Sequence, residues 1–174
     1  MSYFSFDIET NGPCPGKYSI VEIGATMIKS DGTFETFFSN IAPISNEYDK
    51  EYLDITGHVF EETLNYEEPI EVINNLNNWV KENNTGKAKF VSDNAFDWMF
   101  ICTYFHEFLG ECPFGHTSFN INSFYRGMEK DLKAEFSTKS NLEHTHNALD
   151  DSMKNADALF NIFKENNMLS ELDI

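Results

Sequence analysis

The chain of 174 residues is long enough to bury a hydrophobic core without disulfide staples and suits one domain over residues 1–174. With 41% hydrophobic residues and only 9 Gly and 5 Pro, it falls outside the disordered, collagenous and low-complexity classes. Lys+Arg 12 against Asp+Glu 29 leaves a net charge of −17, which excludes a broad basic surface for nucleic acid or an anionic membrane; a phosphate-bearing substrate would need bound cations to offset it.

In chain order, residues 3–8 are short, aromatic-rich and alternating, as a strand requires, and 20–29 (IVEIGATMIK) and 33–38 read as two more. Ser30-Asp31-Gly32 between the latter two predicts a hairpin. Pro69 opens a helix whose Ile70, Ile73, Leu76 and Val80 recur at helical spacing until Asn83, Asn84 and Gly86 stop the pattern. Residues 89–92 read as a fourth strand leading into a helix over 94–108, and a last helix runs over 149–166. Strands first, then strand and helix in alternation, predict an α/β fold: a mixed sheet flanked by helices. Cys14, Cys102 and Cys112 stand at no metal-ligand spacing and form no disulfide framework, so a reducing compartment is expected. The N-terminus has no basic segment followed by an apolar run, and no stretch is apolar enough to cross a membrane. The expected setting is the cytoplasm.

Three places set carboxylates where they cost free energy. On a strand through residue 8, Asp7 and Glu9 share a face about 7 Å apart, since side chains alternate. Two like charges at the end of a buried strand call for a cation or proton between them, and oxygen ligands suit a hard divalent metal; two solvated acids at a strand end are the plainer reading. Asp97 sits inside Phe96-Asp97-Trp98-Met99-Phe100-Ile101, a helix apolar on nearly every side, so its carboxylate needs partners. Asp93 and Asn94 beside it read as turn or N-cap residues. The third place is the segment 143–151, with His144, His146, Asp150 and Asp151 ahead of the last helix. Leu149, Met153, Ala156, Phe160 and Phe163 are read as the apolar stripe of that helix, with Asp151 roughly opposite, facing either water or a cleft.

Together, FDIETNG at 6–12, IVEIGA at 20–25, DNAFDWMF at 93–100 and HNALDDS at 146–152 resemble the DnaQ-like 3′→5′ exonucleases of the DEDDh family, in the family's order and across nearly the whole chain. The resemblance implies a ribonuclease H-like fold with a five-stranded mixed sheet and the acids gathered at one end. It implies metal ligands at Asp7, Glu9, Asp97 and Asp151, and a catalytic histidine at His146, five residues before Asp151. The tyrosine branch of the superfamily would put Tyr at 147, where this chain has Asn147. Thr10 resembles the family position beside the terminal nucleotide, while His144 and Asp150 miss the spacing and are expected outside the metal shell or in solvent. The second motif is one residue shorter than in many relatives, which leaves Asn94 without an implied role.

The chemistry so implied is phosphodiester hydrolysis at the 3′ end of single-stranded DNA or RNA, or of short oligonucleotides, releasing nucleoside 5′-monophosphates. Two Mg²⁺ or Mn²⁺ ions would clamp the attacking and leaving oxygens, and His146 would take the proton of the attacking water. Phe96, Trp98, Tyr104 and the Phe-rich segment 105–119 could stack bases, but core packing is the expected use of most. Two competing readings are a non-catalytic, metal-binding interaction subunit on the same fold and a phosphodiesterase of dinucleotides or small nucleotides.

Overall fold

A computed structural model describes residues 1–172. Strands β1 (Ser2–Thr10), β2 (Ile20–Ile28) and β3 (Phe34–Asn40) precede helices α1 (Lys50–Thr56), α2 (Phe60–Thr63) and α3 (Pro69–Asn83). Strand β4 (Ala88–Ser92), helix α4 (Phe96–Leu109), strand β5 (Ser118–Asn120) and helices α5 (Ile121–Glu129) and α6 (Ala148–Glu165) follow. The sheet has five strands in the order β3-β2-β1-β4-β5, antiparallel from β1 to β3 and parallel across β1, β4 and β5. This is the five-stranded mixed sheet expected. The hairpin turn closes with Gly32 at φ 85°, and Asp31 accepts from the Thr33 amide and hydroxyl at 2.8 and 2.7 Å.

The two sheet faces bury different chemistry. On one, Phe4, Phe6, Ile8 and Phe90 pack with Ile73, Leu76 and Val80 of α3 and Phe100, Ile101, Tyr104 and Phe105 of α4. On the other, α6 lies across β1 and β2. Its C-terminal half is apolar there, with Leu159, Ile162 and Phe163 against Tyr3 and Ile28. Its N-terminal half is not. Small or polar residues line that seam, with Ser5, Asp7 and Glu9 on β1, Glu22, Gly24 and Thr26 on β2, and Ala148 and Ser152 on α6. The Thr26 and Ser152 hydroxyls are hydrogen-bonded at 2.8 Å. A Cβ on Gly24 would overlap the Ala148 carbonyl and the Leu149 amide, so only glycine lets α6 begin this close to the sheet.

The buried stripe of α6 is only in part the expected one, since Ala156 and Phe163 of that stripe are buried but its other three residues are not. Leu149, Met153 and Phe160 are only partly buried, whereas Ala148, Asp151, Ser152, Asn155, Ala156, Leu159, Ile162 and Phe163 face inward. Counting large apolar residues rotates the helix away from its true contact face, because close approach to the sheet is made by the small ones. Asp151 consequently faces the sheet, at 2% exposure, rather than open water. In the aromatic segment Phe105 and Phe114 are core residues and Phe96, Trp98 and Phe108 pack onto that core, as expected.

Candidate active site

Parallel pairing carries the C-terminal ends of β1 and β4 to the same end of the sheet, and the acids collect at that end, where α/β sheets commonly place ligands. Asp7 lies opposite Gly24 and Glu9 opposite Glu22, and a bulge immediately after Glu9 ends the regular ladder. Ser92 ends β4, and its hydroxyl donates to the Asn94 carbonyl at 2.6 Å. The Asn94 side chain turns the chain into α4, with Oδ1 accepting from the Phe96 amide at 2.6 Å. This sets Asp97 in the first turn of α4, 3% exposed, where the helix dipole favours a carboxylate.

Asp151 is reached from the opposite side. Its Oδ1 accepts the Thr145 amide at 3.0 Å and its Oδ2 the His146 amide at 2.9 Å, while Asn147 caps α6 by accepting from the Asp150 amide. His146 adopts φ 57°, the left-handed bend that lets the loop wrap this carboxylate. One carboxylate oxygen each from Asp7, Glu9 and Asp151 lies within 4.8 Å of the others. The predicted residues Asp7, Glu9, Asp97, His146 and Asp151 thus gather at this end of the sheet, with Asp97 close enough for its charge to act on Asp7 and the His146 ring exposed beside Asp151. Thr10 is buried at the end of β1, and its hydroxyl donates to the Gly12 carbonyl at 3.0 Å.

The electrostatics of this cluster are those of uncompensated acids. Burial and then the charge of Asp97, followed by Glu9 and Asp151, hold Asp7 well above the usual carboxylate range. Burial and Glu22 push Glu9 to about 8, and burial and Asp93 raise Asp97 to about 7. Among the described residues the lysine ion pairs lie elsewhere, at Lys29–Glu35, Lys50–Asp54 and Lys139–Glu165. Asp97 Oδ2 is buried without a partner. An all-oxygen donor set, like charges in contact and an orphaned carboxylate oxygen fit a hard divalent cation, and Asp7, Glu9, Asp97 and Asp151 could hold it.

A stability test follows from these shifts. In the unfolded chain the carboxylates lose their protons near pH 4, whereas in the folded, metal-free protein Glu9 and Asp97 keep theirs to about 8 and 7. The folded state thus binds more protons between those values, so metal-free stability should fall as pH rises from about 5 to about 8. Melting in a chelator should show this decline, a divalent cation should cancel it, and Glu9→Gln, which removes one of the titrating groups, should flatten it. A melting temperature that climbs through this window would contradict the buried-acid reading.

Three further contacts shape the site. His144 Nδ1 lies 2.8 Å from Asp151 Oδ1, so this histidine reaches the aspartate although its spacing is wrong for the family motif. Glu22, 6% exposed, accepts the Ala148 amide at 2.7 Å through Oε1, and its Oε2 lies 3.2 Å from His58 Nε2. His58 Nδ1 in turn is 2.9 Å from the Tyr66 hydroxyl. The signal for Glu22 was available, since a carboxylate inside the apolar run IVEIGA poses the same question as Asp97. Asp93 is fixed by its main chain, whose carbonyl accepts both Asn120 and Asn122 side-chain amides at 3.1 and 2.7 Å.

Residues 4–159 match the model of a family described as RNase_T, exonuclease. The chain belongs to the RNase_T exonuclease family. It is a 3′→5′ exonuclease of the DnaQ-like kind that its motifs indicate, in a family that uses divalent metal ions. It is 36% identical over 132 residues to the 3′-5′ DNA exonuclease Cap18 of Escherichia coli, covering 72% of this chain and 68% of that protein. The nuclease domain of 3′hExo, a DEDDh family member solved with rAMP, superposes with a TM-score of 0.77 at 15% identity, over 96% of this chain and 94% of that one. E. coli Exonuclease I in complex with a dA16 oligonucleotide gives 0.76 at 14% identity, over 98% of this exonuclease but 42% of that chain. These two likenesses bear on the fold. No helix among the described residues is long and apolar enough to cross a membrane.

Proposed function

We propose that this exonuclease removes nucleotides from the 3′ end of single-stranded DNA, with Asp7, Glu9, Asp97 and Asp151 holding two Mg²⁺ or Mn²⁺ ions and His146 acting as general base. The observation that carries this reading is the meeting of Asp7, Glu9 and Asp151 oxygens within 4.8 Å, with no neighbouring lysine or arginine among the described ion pairs to offset them. When bound, the ions supply charge stabilisation for the attacking and leaving oxygens of the displacement. His146, exposed at the mouth of the site, takes a proton from the attacking water onto a ring nitrogen. Its own amide and that of Thr145 hold Asp151, so one loop orients both a ligand and the base. Water oxygen joins phosphorus, the bond from phosphorus to the 3′-oxygen of the penultimate nucleotide breaks, and a nucleoside 5′-monophosphate leaves. Thr10 stands at the end of β1, where the terminal nucleotide would lie.

The Cap18 likeness supports DNA over RNA, and the charge of −17 supports a short single-stranded end held mainly through the cations. The free thiols of Cys14, Cys102 and Cys112 suit a cytoplasmic setting. The test is incubation of 5′-labelled single-stranded DNA and RNA with Mg²⁺ or Mn²⁺, resolved by size. A ladder shortening from the 3′ end on DNA is expected, with a blocked 3′ end resistant. Early release of the 5′ label as mononucleotide would reverse the polarity, faster loss of RNA would reverse the sugar preference, and turnover confined to dinucleotides would favour the small-nucleotide phosphodiesterase.

A further inference from the structure

We infer that His144, His146 and Asp151 form a second cation site, distinct in chemistry from the carboxylate cluster and suited to a borderline-soft divalent ion such as Zn²⁺. One donor atom from each of the three lies within 4.8 Å of the others. The two imidazoles come from alternate residues of the loop before α6, with ring centroids 4.4 Å apart at 65°. The loop is fixed between them, because the Thr145 and His146 amides are both bonded to Asp151 and His146 sits at φ 57°. Zinc bonds to nitrogen and oxygen of about 2.0–2.1 Å put adjacent tetrahedral donors about 3.4 Å apart. The 2.8 Å approach of His144 Nδ1 to Asp151 Oδ1 is about 0.6 Å shorter than that, and all three donor atoms lie within 4.8 Å, so the set brackets the tetrahedral spacing. Both histidines are exposed, which gives the ion an entry path and leaves its remaining position to water.

The donor set decides which ion goes where. Mg²⁺ prefers oxygen and gains little from imidazole, whereas two imidazoles and a carboxylate are an ordinary set for zinc. The catalytic ions and this one would therefore sort by hardness between adjacent sites that share Asp151. A cation on His146 takes the lone pair the general base needs, so binding here inhibits. That consequence rests on the proposed role of His146; the binding itself does not.

The experiment titrates Zn²⁺ into the protein in excess Mg²⁺ against a chromophoric chelator, with DNA hydrolysis followed at the same free zinc. One zinc per chain is expected in the wild type. His144→Ala should weaken it at least about tenfold and raise the inhibitory zinc concentration in step, while Asp7→Ala should still bind zinc. Circular dichroism of His144→Ala guards against unfolding, which the exposed loop position makes an unexpected outcome. Equal zinc affinity in wild type and His144→Ala would overturn the site, pointing to the thiols or the acids. Loss of zinc in Asp7→Ala with retention in His144→Ala would overturn it too, placing the ion in the carboxylate cluster. Failure of the exonuclease reading would instead appear as absent hydrolysis without zinc, with the binding result untouched.

Discussion

Asp7→Ala and Asp151→Asn should each abolish hydrolysis, with activity falling to below about a tenth of wild type and the fold retained. Asp7 is surrounded by Asp97, Glu9 and Asp151, whose charges together with burial hold its carboxyl high. Removing it relieves like-charge repulsion, so the metal-free variant should melt no lower than wild type even as it loses a cation ligand. Asp151→Asn is subtler, since it keeps an oxygen for one of the two amides of Thr145 and His146 but loses the second acceptor and the charge. A variant retaining more than about a tenth of wild-type turnover would have lost less than about 1.4 kcal/mol of transition-state stabilisation, too little for a ligand of a paired metal site. Steady-state rates on a 3′-terminated oligonucleotide, with melting temperature measured alongside, decide it.

His146→Ala should lower turnover by about 10²- to 10⁴-fold, the range for loss of a positioned general base, with little change in the Mg²⁺ concentration needed for half-activity. His144 provides the comparison. It touches Asp151 through Nδ1 but has no assigned contact with substrate, so in zinc-free assays His144→Ala should lose less than about tenfold. The opposite order, with His144→Ala inactive and His146→Ala active, would move the base to His144 and end the five-residue spacing argument. If both stayed active, the exonuclease would lack its proposed base, and the reading of a site that merely binds metal would gain.

How legible each element is in one dimension varies with its physics. Strands β1 to β4 and helices α3, α4 and α6 were visible because alternation, periodicity and turn chemistry are local. Strand β5, three residues long, and the short helices α1 and α2 carry too few residues to show a period, and α5 lies just beyond the Phe-rich segment 105–119, in a stretch for which the sequence predicts no element. The acids at 7, 9, 97 and 151 were legible from motif order, and for Asp97 from its apolar surroundings as well. The face of α6 was legible only in part, because its N-terminal half meets the sheet through Ala148 and Ser152 rather than through large apolar side chains.

By itself the sequence determined the α/β class, the family and the five residues of the candidate site, since strand alternation and motif spacing survive in one dimension. Only the tertiary structure decided that Asp151 faces the sheet, that Glu22 holds the start of α6 through the Ala148 amide, and that His144 reaches Asp151 beside His146. Each of these depends on how closely α6 approaches β2, a distance set by the missing side chain of Gly24 and by where a loop bends at His146. Residues 126 positions apart in the chain, such as Glu22 and Ala148, have no spacing that sequence periodicity can read, and their contact exists only once burial has brought helix and sheet together.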